Sequence, residues 1–224
     1  MAQAQFSPRY HYAFVCGKTG CQWRMLPPCF PPWQLVYYYF RKWKRDETIL
    51  LLHDKLTEWV RVKKGKRAEP TAAIMDSLSV KNTSVAGEEK GFDAGKKIKG
   101  RKQHILTDTL GLLICVVVHS AGVQDRSGAH LLLEKAKDRL LKIVFAEEGY
   151  RGKLVELVQS TYGWLLVIVA KISGVFNQPK RWIVERTFAW INNDRRHAKD
   201  YERLTESAEA IIHLSMIKTM LKQF

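Results

Sequence analysis

From Thr71 to the C-terminus the chain alternates between short apolar runs and segments with helical spacing, and their order is what most restricts the fold. Thr71–Val80 reads as a strand. Gly91–Lys102 is rich in Gly and Lys and reads as a basic hairpin; it lacks the G-x-x-x-x-G-K-[ST] spacing of a nucleotide P-loop. His104–Thr107 and Leu112–His119 read as two strands around a turn at Asp108–Gly111. Next come a helix over Gly128–Leu141, a short strand over Lys142–Ala146, a helix over Lys153–Tyr162 and a buried strand over Trp164–Lys171. Arg181–Asp200 and Ser207–Lys222 read as the last two helices. Strands in succession, followed by strands alternating with helices, imply an α/β layer structure.

The preceding part has a different character. Residues 1–19 show no clear periodicity and read as an irregular lead-in. Gly20-Cys21-Gln22-Trp23-Arg24-Met25-Leu26-Pro27-Pro28 is a loop closed by prolines, and Pro31-Pro32 precedes Trp33, where proline suits a helix start. Trp33, Tyr37 and Phe40 recur at helical spacing, so Trp33–Arg45 is expected to be a helix, with a second helix from Asp46 to Val62. The aromatic stripe reads more readily as core than as a base-stacking platform. Arg61–Glu69 is a basic linker. The expected organisation is therefore a lead-in over 1–19, a small helical unit of helix-turn-helix-like character with a basic linker over 20–69, and an α/β domain over 70–224.

Composition sets the scale and the partner. Apolar residues make up 46% of the 224, enough for a substantial core, and Lys plus Arg outnumber Asp plus Glu by 37 to 22, a formal charge of +15. The excess is spread along the chain, so it belongs to a folded surface more naturally than to a disordered arm. Such a field attracts polyanions, chiefly DNA or RNA. A basic protein without such a partner is the plain alternative. Cys16, Cys21, Cys29 and Cys115 fit no paired C-x-x-C zinc spacing and read as reduced thiols. The longest apolar runs, Leu112–Val118 and Trp164–Ala170, are too short to span a bilayer, and no signal peptide is visible. A cytoplasmic protein with no membrane partner is expected.

Glu185 is the most informative single residue. It lies in Lys180-Arg181-Trp182-Ile183-Val184-Glu185-Arg186-Thr187-Phe188-Ala189-Trp190-Ile191, a helix rich in basic and aromatic residues. An acid there repels phosphate unless a cation stands between them, and a divalent metal serving phosphoryl transfer on nucleic acid meets that condition. Such chemistry uses carboxylates converging on two cations roughly 3.5–4 Å apart. Mg²⁺ keeps several of its waters, so few protein ligands suffice. Asp76 interrupts an otherwise uncharged strand, an expensive place for a charge without a partner. Glu147 and Glu148 follow Ile143-Val144-Phe145-Ala146, at a strand end where α/β sheets place sites. On a helical wheel Ile183, Val184, Phe188, Trp190 and Ile191 form the apolar arc, and Glu185 lies at its border with Arg181, Asn192, Arg196 and Lys199. Each signal has a plain counterpart. Arg181 and Glu185 make an i,i+4 surface pair, Asp76 a hydrogen-bonded core acid, Glu147 and Glu148 turn residues, and the basic hairpin a solvated face. Their joint placement singles them out.

A set of longer motifs adds to this reading. They are Gly20-Cys21-Gln22-Trp23-Arg24-Met25-Leu26-Pro27, the aromatic Trp33–Trp43 stretch, Met75-Asp76-Ser77, Lys99-Gly100-Arg101-Lys102 and Val123-Gln124-Asp125-Arg126, then Phe145-Ala146-Glu147-Glu148-Gly149-Tyr150-Arg151-Gly152 and Arg181-Trp182-Ile183-Val184-Glu185-Arg186-Thr187-Phe188. Through them, over about residues 20–224, the chain resembles the DDE transposases of bacterial insertion sequences, in the group with the Tyr-Arg-Glu-Lys type signature. The element order likewise resembles that of ribonuclease H-like nucleases and integrases. The resemblance implies a ribonuclease H-like mixed sheet flanked by helices, preceded by a small N-terminal helical region and carrying a DDE metal triad. Asp76 matches the first acid and Glu185 the last; the second, an aspartate in the family, falls on Glu147. Arg181 and Glu185 match the Arg and Glu of the signature, while Gln178 stands at the Tyr position and Asn192 at the Lys position. Glu147 adds one methylene and moves the carboxylate by on the order of 1.5 Å, where metal geometry is strict. The family's longer helical lead-in is not read in residues 1–19, which fits a truncated or decayed copy.

The expected function is that of a transposase: metal-dependent cleavage at element ends, then strand transfer into target DNA. Asp76, Glu147 and Glu185 are the candidate catalytic and metal-binding residues, holding two Mg²⁺ or Mn²⁺ ions with Asp76 as the bridge. Arg181, Arg196 and Lys199, with Lys96, Lys97, Lys99, Arg101 and Lys102 of the hairpin, are the candidate phosphate contacts. Pairing two ends implies a homodimer on double-stranded DNA, nucleoid-associated in a bacterial cytoplasm. Two rivals stand beside this reading: a decayed copy that binds DNA without cutting it, and a nuclease of the same fold class acting on structured RNA.

Overall fold

A computed structural model describes residues 8–84, 87, 89–169 and 180–223, with side chains from residue 13 onward. The expectations that fall on residues 1–7, 170, 171 and Gln178 lie outside the described residues. Helices α1 (Pro8–Thr19), α2 (Trp33–Arg45) and α3 (Thr48–Lys63) come first. Strands β1 (Ala72–Lys81), β2 (Gly91–Asp93), β3 (Ile98–Asp108) and β4 (Leu113–Ser120) come next. Helix α4 (Asp125–Lys135), strand β5 (Ile143–Glu147), α5 (Lys153–Tyr162), β6 (Leu165–Val169), α6 (Arg181–Asn192) and α7 (Thr205–Leu221) complete the order.

These elements build a mixed sheet. β1, β3 and β4 form an antiparallel meander, β2 pairs with the start of β3, and β5 and β6 join the other edge of β1 in parallel. Helices cover both faces. Ala73 and Met75 of β1 point to the side where Leu132 and Leu133 of α4 and Leu154 and Val158 of α5 pack. Ile74 points to the opposite side, with Ile183, Val184 and Phe188 of α6 and Ile212 and Met216 of α7. This is the mixed α/β layering that the element order requires.

Three expectations need correction. Residues 8–19 of the supposed irregular lead-in form α1, whose Ala13 and Cys16 are buried. The helix has almost no amphipathic pattern, and packing against α7 and α2 sustains it in place of local periodicity. The helix expected over 181–200 stops at Asn192. Asn192, Asn193 and Asp194 are poor helix formers, and Asp194 turns inward to accept a hydrogen bond from Ser215 Oγ at 2.8 Å. A short 3₁₀ turn at Arg195–His197 succeeds it. The helix expected over 128–141 instead spans Asp125–Lys135.

The β1–β3 ladder fixes the position of Asp76 in the sheet, opposite Ile105. Its tightest point is Gly100, opposite Lys81: a Cβ there would lie 1.9 Å from the Val80 carbonyl oxygen. Gly100→Ala should therefore displace the ladder and cost about 1–3 kcal/mol in denaturant unfolding. Ile212→Ala, at a position with no exposed surface, should cost about 2–5 kcal/mol.

Candidate functional site

The site forms where β1 and β5 lie side by side under the first turns of α6. Parallel pairing sets Ile74 opposite Phe145. Asp76 and Glu147 are the next residues of the same face on these neighbouring strands, since side chains alternate with a period of two. That is the face on which Ile183, Val184 and Phe188 of α6 pack. Burial of these three, with Thr187 and Ile191, orients the helix and brings Arg181 and Glu185 over the strand ends. Arg181 Nε lies 2.8 Å from Glu147 Oε1 and 2.9 Å from Glu185 Oε1. The ordinary i,i+4 pair is therefore present, but its arginine also reaches an acid on another element. Its N–H is directed to Glu185, so among the described residues the buried Glu147 Oε1 has charge attraction and no hydrogen bond. Glu148 faces away and pairs with Arg151 at 3.4 Å.

Asp76 is half-buried and accepts a hydrogen bond from the Ser77 amide at 2.7 Å. Burial, and next the charge of Glu147, push its carboxyl up to about 7 against the partial relief of that amide, Lys96 and Arg181. Tyr150 is buried behind this corner, among the residues that pack on the opposite face of the sheet. Burial first, and then the nearby Asp76, hold its phenol well above the usual range.

A second polar cluster lies on the opposite face of β1. Lys102 Nζ donates to Asp125 Oδ1 at 2.8 Å and lies 3.3 Å from Asp93 Oδ2. Burial opposes ionisation of Asp93, but the Ser79 hydroxyl, the Lys96 amide and Lys102 outweigh it and hold the carboxyl at about 2. His104 Nδ1 and His119 Nε2 are 2.9 Å apart, and His119 Nδ1 donates to the Ser120 carbonyl at 2.8 Å. That chain makes His104 Nδ1 a donor and leaves its Nε2 unprotonated. Burial, and next the repulsion of His119, bring His104 down to about 3.

The expected phosphate contacts separate into two groups. Lys97, Lys99 and Lys199 are exposed. Lys96 reaches back to the Ser77 carbonyl oxygen at 2.8 Å and so borders the Asp76 site. Arg101, Lys102 and Arg196 are interior. Arg101 ties β3 to the segment after α6 through Asp200 at 3.1 Å and the carbonyl oxygens of Glu202 and Arg203, and to the β1–β2 connection through the Glu89 carbonyl. Arg196 is held by Glu202 Oε1 at 2.7 Å and by the Cys21 carbonyl, so it does not share a face with Glu185. Asn192 is exposed at the helix end. A groove of about 850 Å³ between α2, α3 and α7 carries Arg41, Lys42 and Arg45 on its wall, and none of Asp76, Glu147 and Glu185 lines it. The run Arg41-Lys42-Trp43-Lys44-Arg45 was the available signal for that surface.

Residues 67–219 match the family described as Transposase DDE domain, and residues 13–53 match the family described as Putative transposase of IS4/5 family. The first match covers more than half of the chain, so the protein belongs to the DDE transposases, enzymes that act on DNA and generally use divalent metal ions. None of the curated proteins matches it. No helix among the described residues is long and apolar enough to cross a membrane.

Among the described residues no three His, Cys, Asp or Glu side chains gather closely enough to hold a metal ion. The donor chemistry still fits a divalent cation. Asp76 and Glu147 repel each other, and Glu147 Oε1 is buried without a donor among the described residues. An oxygen-only set of this kind suits Mg²⁺ or Mn²⁺.

Asp76 gives a signed pH dependence for the metal-free protein. Its folded pKa lies above the unfolded value, so between about 4 and 7 the folded state binds more protons and stability falls as pH rises. Asp76→Asn should flatten that slope and be more stable than wild type at pH 8, as read from denaturation midpoints across the range.

Proposed function

We propose that the protein carries out DNA transposition from a ribonuclease H-like domain, with Asp76, Glu147 and Glu185 as its catalytic carboxylates. The observation that carries this reading is the joint position of the acids. Asp76 and Glu147 share one face of adjacent parallel strands, and one guanidinium links Glu147 to Glu185. Two of these residues come from the sheet and one from a separate helix, so the set can close on a cation without unfolding any element. Bound Mg²⁺ or Mn²⁺ would supply Lewis acidity at the scissile phosphate and activate the attacking hydroxyl. The chain's own residues do the positioning. Lys96 stands beside Asp76, and Arg181 at the edge of the site can bind a phosphate oxygen through its fork. Lys97, Lys99 and Lys199 extend the basic surface along the duplex, with Arg41, Lys42 and Arg45 as a separate contact. Recombining two element ends calls for two copies of the chain on DNA. Arg101, Lys102 and Arg196 are left out of the phosphate contacts because their charges are already paired inside the protein.

Cleavage of duplexes bearing the element ends, with Mg²⁺ or Mn²⁺, tests the assignment. Wild type should cut, and Asp76→Ala or Glu185→Ala should lower the rate by about 10²-fold or more. An inactive wild type rescued by Glu147→Asp would instead identify a decayed copy whose second acid is misplaced.

DNA affinity separates the two groups of cations. Lys97→Ala and Lys99→Ala should weaken binding across sequences and each reduce the salt slope by about 1. Arg101→Ala should lower the denaturation midpoint, because it strands Asp200 in the interior.

A further inference from the structure

Arg181 occupies an unusual position. As the first residue of α6 it stands at the positive end of the helix dipole, where a cation is disfavoured, and the first turn contains no acid to offset it. What holds it is the pair of carboxylates on either side of its Nε, at 2.8 and 2.9 Å. Its hold on Glu147 is the weaker half, because the N–H points to Glu185 and Glu147 Oε1 has no hydrogen bond among the described residues. The side chain is 31% exposed, so it can swing to solvent without moving the helix backbone.

We propose that Arg181 is the resident countercation of this site: its guanidinium neutralises Glu147 and Glu185 in the metal-free protein and leaves that pair when a divalent cation binds. The proposal rests on the assignment of these acids as the catalytic carboxylates. A cation that takes Glu147 gains an oxygen the fold leaves unsatisfied. Arg181, then facing both the incoming charge and the helix dipole, is released toward an anion. A DNA phosphate is the anion this basic surface attracts. Metal and guanidinium compete for the same oxygens, so whatever draws Arg181 away tightens metal binding, and the converse holds by linkage. Arg181 is thus a positioning residue that couples phosphate engagement to metal uptake.

Two measurements on the full chain without DNA test this. In Mn²⁺ titration calorimetry Arg181→Gln should bind about tenfold more tightly than wild type, the scale expected for removing a partly exposed ionic competitor. In nitrogen-15 NMR of wild type, the Arg181 Nε–H signal, assigned by its loss in Arg181→Gln, should shift and exchange faster with water as Mg²⁺ is added. Equal Mn²⁺ affinity in the two proteins overturns the proposal. So does an Arg181 signal that ignores Mg²⁺ while calorimetry shows Mg²⁺ binding. If neither protein takes up either metal, the carboxylate assignment itself fails, and this proposal with it.

Discussion

Helix α7 is buried on two sides, and the rest of the molecule is arranged around that fact. Ala208, Ile212 and Met216 pack with α6 on the sheet, while Ala210, Ile211, Leu214, Ile217 and Met220 pack with Phe40, Ile49, Leu56 and Val60 of the N-terminal helices. A helix that is apolar all round is stable only inside a protein, so the sheet and the N-terminal helices close on it from opposite directions. The N-terminal helices therefore share a core with the transposase domain. The same helix sets the position of α6. Ser215 of α7 receives His197 at 2.8 Å and donates to Asp194, which draws the chain inward just after α6 ends. Glu185 and Arg181 thus stand over the strand ends because α6 is held between β1 and α7.

The electrostatics of the site derive from that scaffold. Two acids on the same face of adjacent strands repel each other in a partly buried setting, and the protein offsets this in two ways. Asp76 retains its proton up to about 7, burial being the larger cause and Glu147 the next. Glu147 and Glu185 draw on one guanidinium. Neither device satisfies every oxygen. Interaction energy spent on an incompletely satisfied set of acids is a common cost of an active site. The opposite face of β1 provides the contrast. There Asp93 and Asp125 are held by Lys102, Ser79 and Ser77, so each acid has a cation and a hydroxyl beside it.

Much of this was legible in the sequence, for reasons that can be assigned. Helix α2 and helix α5 have the expected limits because proline or glycine marks a boundary and the apolar spacing is regular. Asp76 and Glu147 stood out because each breaks or ends an apolar strand, and strand parity then puts them on one face. Helix α1 was not legible, since its burial depends on α7, which lies far along the chain. The end of α6 was missed for a similar reason: Asp194 stops the helix through Ser215, a partner no local pattern reveals. The wheel that grouped Arg196 and Lys199 with Glu185 assumed a helix that continues, so it failed beyond Asn192.

The division among the basic residues reflects the same limit. A run such as Lys99-Gly100-Arg101-Lys102 looks uniform, but β3 is covered on both sides from Gly100 onward, and only Lys99 of its cations stays exposed. Arg101, Lys102, Arg196 and Arg61 pair with Asp200, Asp93, Glu202 and Asp108 inside the protein. Each pair withdraws one positive and one negative charge, so the net +15 is unchanged by this pairing. It falls on a surface with fewer acids to offset it than composition alone suggests. The long-range attraction for a polyanion therefore survives the loss of several expected contacts. What changes is which cations stay exposed: Lys97 and Lys99 of the hairpin and Lys199, with Arg41, Lys42 and Arg45 on the wall of the groove.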